Sequence, residues 1–136
     1  MKPVFADTFY WIALTNPKDS AHRVALLDFG PALGSRMIVT TDEVLTEFLA
    51  FCASDPRLRL EAALAVQDIL DSPGVRVVPQ THSSFLGGLE LYRARPDKGY
   101  SLTDCISMQL MRTEGLTDVL TNDHHFRQEG FRPLFQ

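Results

Sequence analysis

Four short runs in this chain are apolar almost without a break: Val4-Phe5-Ala6, Met37-Ile38-Val39-Thr40, Val75-Arg76-Val77-Val78 and Asp118-Val119-Leu120-Thr121. A strand with one face in water alternates apolar and polar residues, because successive side chains point to opposite faces. A run that does not alternate suits a strand covered on both sides. Between these runs lie longer segments with helical spacing. That alternation predicts an α/β fold, a three-layer α/β/α sandwich around a mostly parallel sheet of four to five strands. Phe131 to Phe135 supplies the short fifth strand. At 136 residues the chain is expected to form a single domain over 1–136 with one sizeable core.

The helical segments carry their own punctuation. Thr8 to Leu14 reads as a short, largely buried helix, with Phe9, Tyr10 and Trp11 in the core, and Asn16-Pro17 breaks it. An amphipathic pattern runs from Asp19 to Leu33, where Pro31 ends or kinks the helix and Gly34 closes the segment. The next helix starts near Thr40 or Thr41, and its apolar arc of Val44, Leu45, Phe48, Leu49, Phe51 and Cys52 leaves Glu47 on the edge. Asp55-Pro56 starts a helix to Leu70, with Asp as cap and Pro as first helical residue. A helix from Thr81 to Arg95 is weakened by Gly87-Gly88, at roughly 1 kcal/mol per glycine against alanine. The last long helix begins after Ser101 and reaches Gly115, and Asn122 to Phe126 forms the exit turn of the fourth strand.

Charge narrows the function less than it narrows the surface. Thirteen Lys and Arg stand against 17 Asp and Glu, a net charge of −4, which excludes a uniformly basic nucleic-acid binder. It leaves open phosphate binding through cations held by clustered acids. Cys52 and Cys105 lie in helical patterns and read as small buried hydrophobes, with no Cys-x-x-Cys for zinc. No apolar run is long enough to span a membrane, and the N-terminal stretch lacks the apolar segment of a signal peptide, so a cytoplasmic location is expected.

The acids acquire meaning from the predicted sheet. In open parallel sheets a ligand sits outside the carboxyl ends of the strands. Asp7 ends the first strand, Asp123 lies just past the fourth, Asp104 opens a helix, and Glu47 lies on the helix leaving the second strand. Carboxylates gathered there repel one another in a low-dielectric cleft. Divalent cations such as Mg²⁺ or Mn²⁺ relieve that repulsion with oxygen ligands, and they polarise a phosphoryl oxygen and acidify an attacking water. Each acid also has a plain structural reading. Ser101-x-x-Asp104 makes a capping box, Asp7 a helix cap, Asp123 turn chemistry and Glu47 a solvated boundary residue.

Four blocks then occur in order: Asp7 after the first strand, Thr41-x-x-Val44-x-x-Glu47, Ser101-Leu102-Thr103-Asp104-Cys105, and Leu120-Thr121-Asn122-Asp123-His124-His125-Phe126. Together they resemble the conserved blocks of PIN-domain ribonucleases, and most closely the VapC-type toxins of toxin–antitoxin pairs. The resemblance runs from Val4 to Phe135. It implies a PIN-like sandwich and a Mg²⁺- or Mn²⁺-dependent endoribonuclease acting on RNA, with a cognate antitoxin as partner. It implies further that Asp7, Glu47, Asp104 and Asp123 bind the metal and carry catalysis, with Thr121 or Asn122 in support. The family's acidic set varies around its fourth position, which leaves open whether Asp123 acts directly or through water.

Arg93, Arg95 and Lys98, just upstream of Asp104, form the densest basic patch. They suit either the phosphate backbone of a substrate or a helix end complemented by cations. His124-His125 invites a zinc reading, but adjacent residues on an extended segment point opposite ways and no third soft ligand is evident. The apolar helix faces between Asp19 and Leu70 exceed what a small sheet needs, which suggests a homodimer surface or an antitoxin groove. Two other readings compete. A phospho-accepting receiver domain needs a lysine ending a late strand, and Thr121-Asn122-Asp123 supplies none. A non-catalytic scaffold of the same fold has no use for all four acids.

Overall fold

The computed structural model describes residues 1–30 and 36–136. The reading that Pro31 ends the second helix and Gly34 closes the segment to Leu33 lies outside the described residues. In chain order the elements are β1 (Val4–Ala6), α1 (Thr8–Thr15), α2 (His22–Phe29), β2 (Ile38–Thr41), α3 (Asp42–Phe51) and α4 (Pro56–Asp71). They continue with β3 (Val75–Val78), α5 (His82–Ala94), α6 (Leu102–Glu114), β4 (Asp118–Leu120), α7 (His124–Gln128) and β5 (Arg132–Pro133).

The sheet order is β3-β2-β1-β4-β5, and every pairing is parallel. Every residue of β1 and β2 is buried, as expected of central strands with both faces covered. β3 lies at an edge and exposes Arg76, which pairs with Glu114 on α6. β5 is the other edge. The amides of Arg132 and Leu134 bond inward to Thr117 and Val119, so Pro133, which has no N–H, sits where none is needed.

From β1 the chain steps outward to β2 and β3, then crosses back to β4 and β5. Right-handed crossovers in opposite directions place the helices of the two halves on opposite faces. The direction reverses between β1 and β4, the place where open α/β sheets take their ligands, at the carboxyl ends of the strands.

The core spans both faces. Phe5, Tyr10, Trp11, Phe48, Phe126, Met108 and Met111 are among its fully buried side chains, each contributing roughly 1.5–3 kcal/mol on burial. The polar atoms of its large aromatic side chains are satisfied. The Trp11 Nε1–H donates to Thr40 Oγ1 at 3.2 Å, the Thr40 hydroxyl donates to the Ala6 carbonyl at 2.9 Å, and the Tyr10 hydroxyl donates to the Phe29 carbonyl at 2.6 Å. Phe9 is partly buried and sits edge-on to Phe135.

Helix starts follow their signals closely. Thr41 accepts from the Val44 amide, and Asp55 accepts from the amides of Arg57 and Leu58 with Pro56 beside it. Three local expectations need correction. The second helix starts at His22 rather than Asp19, because the Asp19 carboxylate takes the Ala21 amide and forms a turn ahead of the helix. The stretch after β4 is more than a turn, since Asp123 caps the short helix α7. Gly88 also has a packing role, because a Cβ there would overlap Ile106 Cγ1 where α5 crosses α6.

Candidate active site

Asp7 follows β1 at this reversal and occupies the N-cap position of α1, but its side chain makes no capping hydrogen bond. Its Oδ2 accepts the Thr121 hydroxyl at 3.0 Å, while Oδ1 is buried without a hydrogen-bond partner. The residue is 6 % exposed. Burial pushes its pKa up to about 7, with the negative charge of Asp104 adding to the rise and Glu47 adding less. The Thr8 amide and the Thr121 hydroxyl pull the other way.

Asp104 stands in the first turn of α6, and the capping box is real. The Asp104 amide donates to Ser101 Oγ at 3.0 Å, and the Ser101 amide donates to Asp104 Oδ2 at 3.1 Å. Burial nevertheless raises its pKa, with Asp123 and Glu47 adding like charge and the Ser101 hydrogen bonds opposing. Capping and site membership therefore coexist in one side chain.

Glu47 projects from α3, and its Oε1 accepts the Thr8 hydroxyl at 2.5 Å. Asp123 is held by the strand exit. Its Oδ1 accepts the His125 amide at 2.9 Å, and its own amide donates to Thr121 Oγ1 at 3.2 Å. Asp7 thus feels Asp104 and Glu47, and Asp104 feels Glu47 and Asp123. One network of negative charge links all four acids, contributed by β1, α3, α6 and the β4 exit.

The flanking residues divide. Thr121 is fully buried, and its hydroxyl is already spent between Asp7 and the Asp123 amide, so it braces acids and has no free face for substrate. Asn122 beside it is exposed. Arg93 is exposed on the last turn of α5, and Lys98 lies 3.8 Å from Asp97. Arg95 is bound at both nitrogens to Glu129, at 2.9 and 3.3 Å, and Arg112 and Tyr100 converge on the same carboxylate. That carboxylate side chain is only 5 % exposed.

Thr8 and Glu129 were not singled out by sequence reasoning, and His125 was weighed there only for zinc. Thr8 orders Glu47, Glu129 ties the loop before Asp104 to α6 and α7, and His125 turns its ring toward the acids. His125 Nδ1 lies 3.3 Å from Asp123 Oδ1 and 4.0 Å from Asp104 Oδ2, whereas His124 is exposed. Because they open a helix rather than continue a strand, the two histidines do not point opposite ways: their rings lie 4.6 Å apart between centroids, with His125 half-buried and His124 exposed. An Asp followed by a helix-starting His at the sheet's open end was the only available signal.

The donor set fits a hard divalent cation. It is built of carboxylate oxygens, one of them buried and unpartnered, and burial and like charges raise the pKa of Asp7 and Asp104 within it. Ligand atoms of Asp104, Asp123 and His125 come within 4.8 Å of one another, and Asp7 and Glu47 lie in the same field of negative charge.

Comparison with known proteins follows the same outline. The PIN domain family model matches residues 4–131. The chain is 29% identical over 128 residues to the 23S rRNA-specific endonuclease VapC20 of Mycobacterium tuberculosis, covering 94% of this chain and 95% of that protein. The crystal structure of that VapC20, described as a sarcin-ricin loop cleaving toxin, superposes with a TM-score of 0.83 at 26% identity over 94% of this chain and 95% of the other. VapBC2 from Rickettsia felis, bound to a promoter DNA fragment, matches at TM-score 0.67 and 14% identity, covering 98% and 97%. FitAcB from Neisseria gonorrhoeae matches at 0.62 and 16%, covering 100% and 97%. These last two speak to the fold alone. The chain belongs to the PIN-domain family.

Proposed function

We propose, with that membership as premise, that the chain is a VapC-type toxin: a Mg²⁺- or Mn²⁺-dependent endoribonuclease that forms one nuclease domain and is held in check by a cognate antitoxin in the cytoplasm. Its likeness to a 23S rRNA-specific endonuclease makes structured RNA the first substrate to try. The observation that carries the reading is the carboxylate network at the sheet's switch point, above all Asp7 with one oxygen buried and unpartnered beside Asp104.

The reaction is hydrolysis of a phosphodiester. A water oxygen bonds to phosphorus, the bond from phosphorus to one ribose oxygen breaks, and that oxygen leaves with a proton. A divalent cation, when bound, polarises the phosphoryl oxygen and makes the attacking water more acidic. Asp7 and Asp104 hold that charge from two elements, Glu47 reaches in from α3, and Asp123 closes the side next to α7. Thr121 and Thr8 keep Asp7 and Glu47 oriented. Arg93, exposed, and Lys98, half-buried, are the cations assigned to phosphates beside the scissile bond, and Asn122 is exposed at the β4 exit. Arg95 contributes by fixing the loop through Glu129.

For partners, apolar side chains stand exposed on α2 and α4, including Leu26, Leu27, Leu60 and Leu64. They are suited to a homodimer or an antitoxin segment. No helix among the described residues is long and apolar enough to cross a membrane.

The test is cleavage of a structured ribosomal RNA fragment by purified protein with Mg²⁺ or Mn²⁺. Activity should vanish with EDTA and in Asp7→Asn and Asp104→Asn, both of which should stay folded. Cleavage that survives both substitutions sinks the reading.

A further inference from the structure

His125 belongs to none of the roles above, and its surroundings are unusual for a surface histidine. It is the second residue of α7, two after Asp123, and its ring packs edge-on against Tyr100 at 5.3 Å between centroids. On the far side of the ring, Nε2 lies 3.9 Å from the position a Cβ would take on Gly99. The ring is therefore bracketed by the Gly99-Tyr100 turn, with Nδ1 directed at the acids. Among the described residues no hydrogen bond engages either ring nitrogen, although Nδ1 approaches Asp123 Oδ1 to 3.3 Å and Asp104 Oδ2 to 4.0 Å.

The 3.3 Å approach to Asp123 is near the spacing of neighbouring ligands on one ion, and the 4.0 Å approach to Asp104 lies between the neighbouring and opposite spacings. Three donors, one each from Asp104, Asp123 and His125, lie within 4.8 Å of one another. With bonds of about 2.1–2.2 Å, neighbouring ligands of a six-coordinate ion sit about 3.0 Å apart and opposite ones about 4.3 Å. The two oxygens each accept one backbone amide, from Ser101 and from His125, and each keeps a second lone pair. Independently of this trio, the buried and unpartnered Oδ1 of Asp7, in the same charge network, points to a missing positive partner.

We propose that His125 is a nitrogen ligand of the divalent-cation site, joining Asp104 and Asp123, and that it biases the site toward Mn²⁺ over Mg²⁺. The inference rests on the metal-dependent reading of the site and deepens it. Mg²⁺ prefers oxygen donors and water, whereas imidazole nitrogen binds the later transition ions more readily than it binds Mg²⁺, and Mn²⁺ stands between. A site of carboxylates alone has little chemical basis for separating Mg²⁺ from Mn²⁺. One imidazole provides it. The Tyr100 contact and the Gly99 turn position the ring, and Glu129 holds Tyr100 through its hydroxyl at 3.2 Å.

Mn²⁺ itself is the probe, and the readout is electron spin-echo modulation of the bound ion. Wild-type protein loaded with Mn²⁺ should show a ¹⁴N coupling, and growth on ¹⁵N-histidine should convert it to a ¹⁵N pattern without any mutation. His125→Gln should abolish the coupling and lower Mn²⁺ affinity by about 10-fold or more in calorimetry, with Mg²⁺ affinity changed less than about twofold. His124→Gln should keep both the coupling and the affinity. Absence of a histidine coupling in wild type overturns the inference, as does its persistence in His125→Gln or a parallel fall in Mn²⁺ and Mg²⁺ affinity. If Mn²⁺ binds, depends on Asp104 and shows no histidine coupling, only the ligand assignment fails. If neither ion binds at all, the metal-dependent reading falls with it.

Discussion

Asp7→Asn should make the metal-free protein more stable at pH 8 and no more stable at pH 4. Burial and the charge of Asp104 push the Asp7 pKa up to about 7. An acid whose folded pKa is raised favours the fold below its unfolded pKa, and that contribution is lost as pH rises through the folded value. Ionising Asp7 at pH 8 therefore destabilises the native state by about 1.4 kcal/mol for each unit of the rise, a ceiling of about 4 kcal/mol. At pH 4 the penalty falls below about 1 kcal/mol. The asparagine keeps its carbonyl for the Thr121 hydroxyl but places an amide donor where Oδ1 has no partner, which costs about 1–3 kcal/mol at every pH. The balance is a gain on the order of 1–3 kcal/mol at pH 8, and neutrality or a loss at pH 4. For a chain of this size that gain raises Tm by roughly 3–12 °C. Thermal unfolding followed by circular dichroism in EDTA at pH 4, 6 and 8 measures it. Excess Mn²⁺ should reverse the ranking at pH 8, because an ion that binds only the native wild type stabilises it by mass action. Melting curves for the two proteins that stay parallel across pH, or a variant destabilised most at pH 8, would refute the account of Asp7 as a buried carboxylate awaiting a cation.

The other expectations are shorter. Mn²⁺ binding should displace protons, with affinity in calorimetry rising as pH climbs through about 7, since Asp7 must ionise to act as ligand. A pH-independent affinity between 5 and 8 contradicts this. Thr121→Val should cost about 1–3 kcal/mol in urea unfolding, because it strands the Asp123 amide and removes the donor to Asp7. It should also weaken metal binding without abolishing it. Gly88→Val should destabilise by about 1–3 kcal/mol through overlap with Ile106, whereas Gly87→Ala, with open space around it, should be neutral or stabilising. Glu129→Gln should loosen the loop through Ser101, read as faster amide exchange at Lys98 to Tyr100. The Arg95 and Arg112 guanidiniums hold the Glu129 pKa below its usual range against the desolvation that raises it. The stability it lends in the parent should accordingly be present above the ordinary glutamate pKa and fade as pH falls through the depressed value.

Much of the sheet was legible because its strands are defined by what they exclude. Val4-Phe5-Ala6 and Ile38-Val39-Thr40 have no polar face to offer water, so both had to be central, and both are fully buried. Where a strand carries Arg76, it lies at the edge. Caps were legible for the same reason: Asp55-Pro56 and Ser101-x-x-Asp104 satisfy particular amides, and those amides are where they bond. Side chains that choose between two local partners were not legible. Asp19 turns the chain instead of capping it, and Asp123 starts a helix within what reads as a turn. Gly88 read as a weakness, because a helix propensity says nothing about the neighbouring α6 that needs the missing Cβ.

The site divides along the same line. Its acids could be placed because parallel strands send their carboxyl ends to one edge, and Asp7 and Asp123 follow β1 and β4, the two strands flanking the reversal of direction. What supports them comes from pairings remote in the chain. Thr8 meets Glu47 across 39 residues, and Thr121 meets Asp7 across 114. Glu129 collects Arg95, Tyr100 and Arg112 from both sides of the last long helix, so a basic cluster that reads as free for phosphate is partly committed to the fold. Commitment of Arg95 is itself informative. A loop that leads into Asp104 needs rigidity more than it needs charge, because a cation held by Asp104 would tolerate little drift in its carboxylate. Arg93 is exposed near that approach and Lys98 is half-buried beside Asp97, and on the proposed function a substrate's phosphates would meet them ahead of the acids. On that reading, attraction by the rim and repulsion at the centre are reconciled only when a cation occupies the centre, so the four acids, and not the basic loop, would decide what this site does.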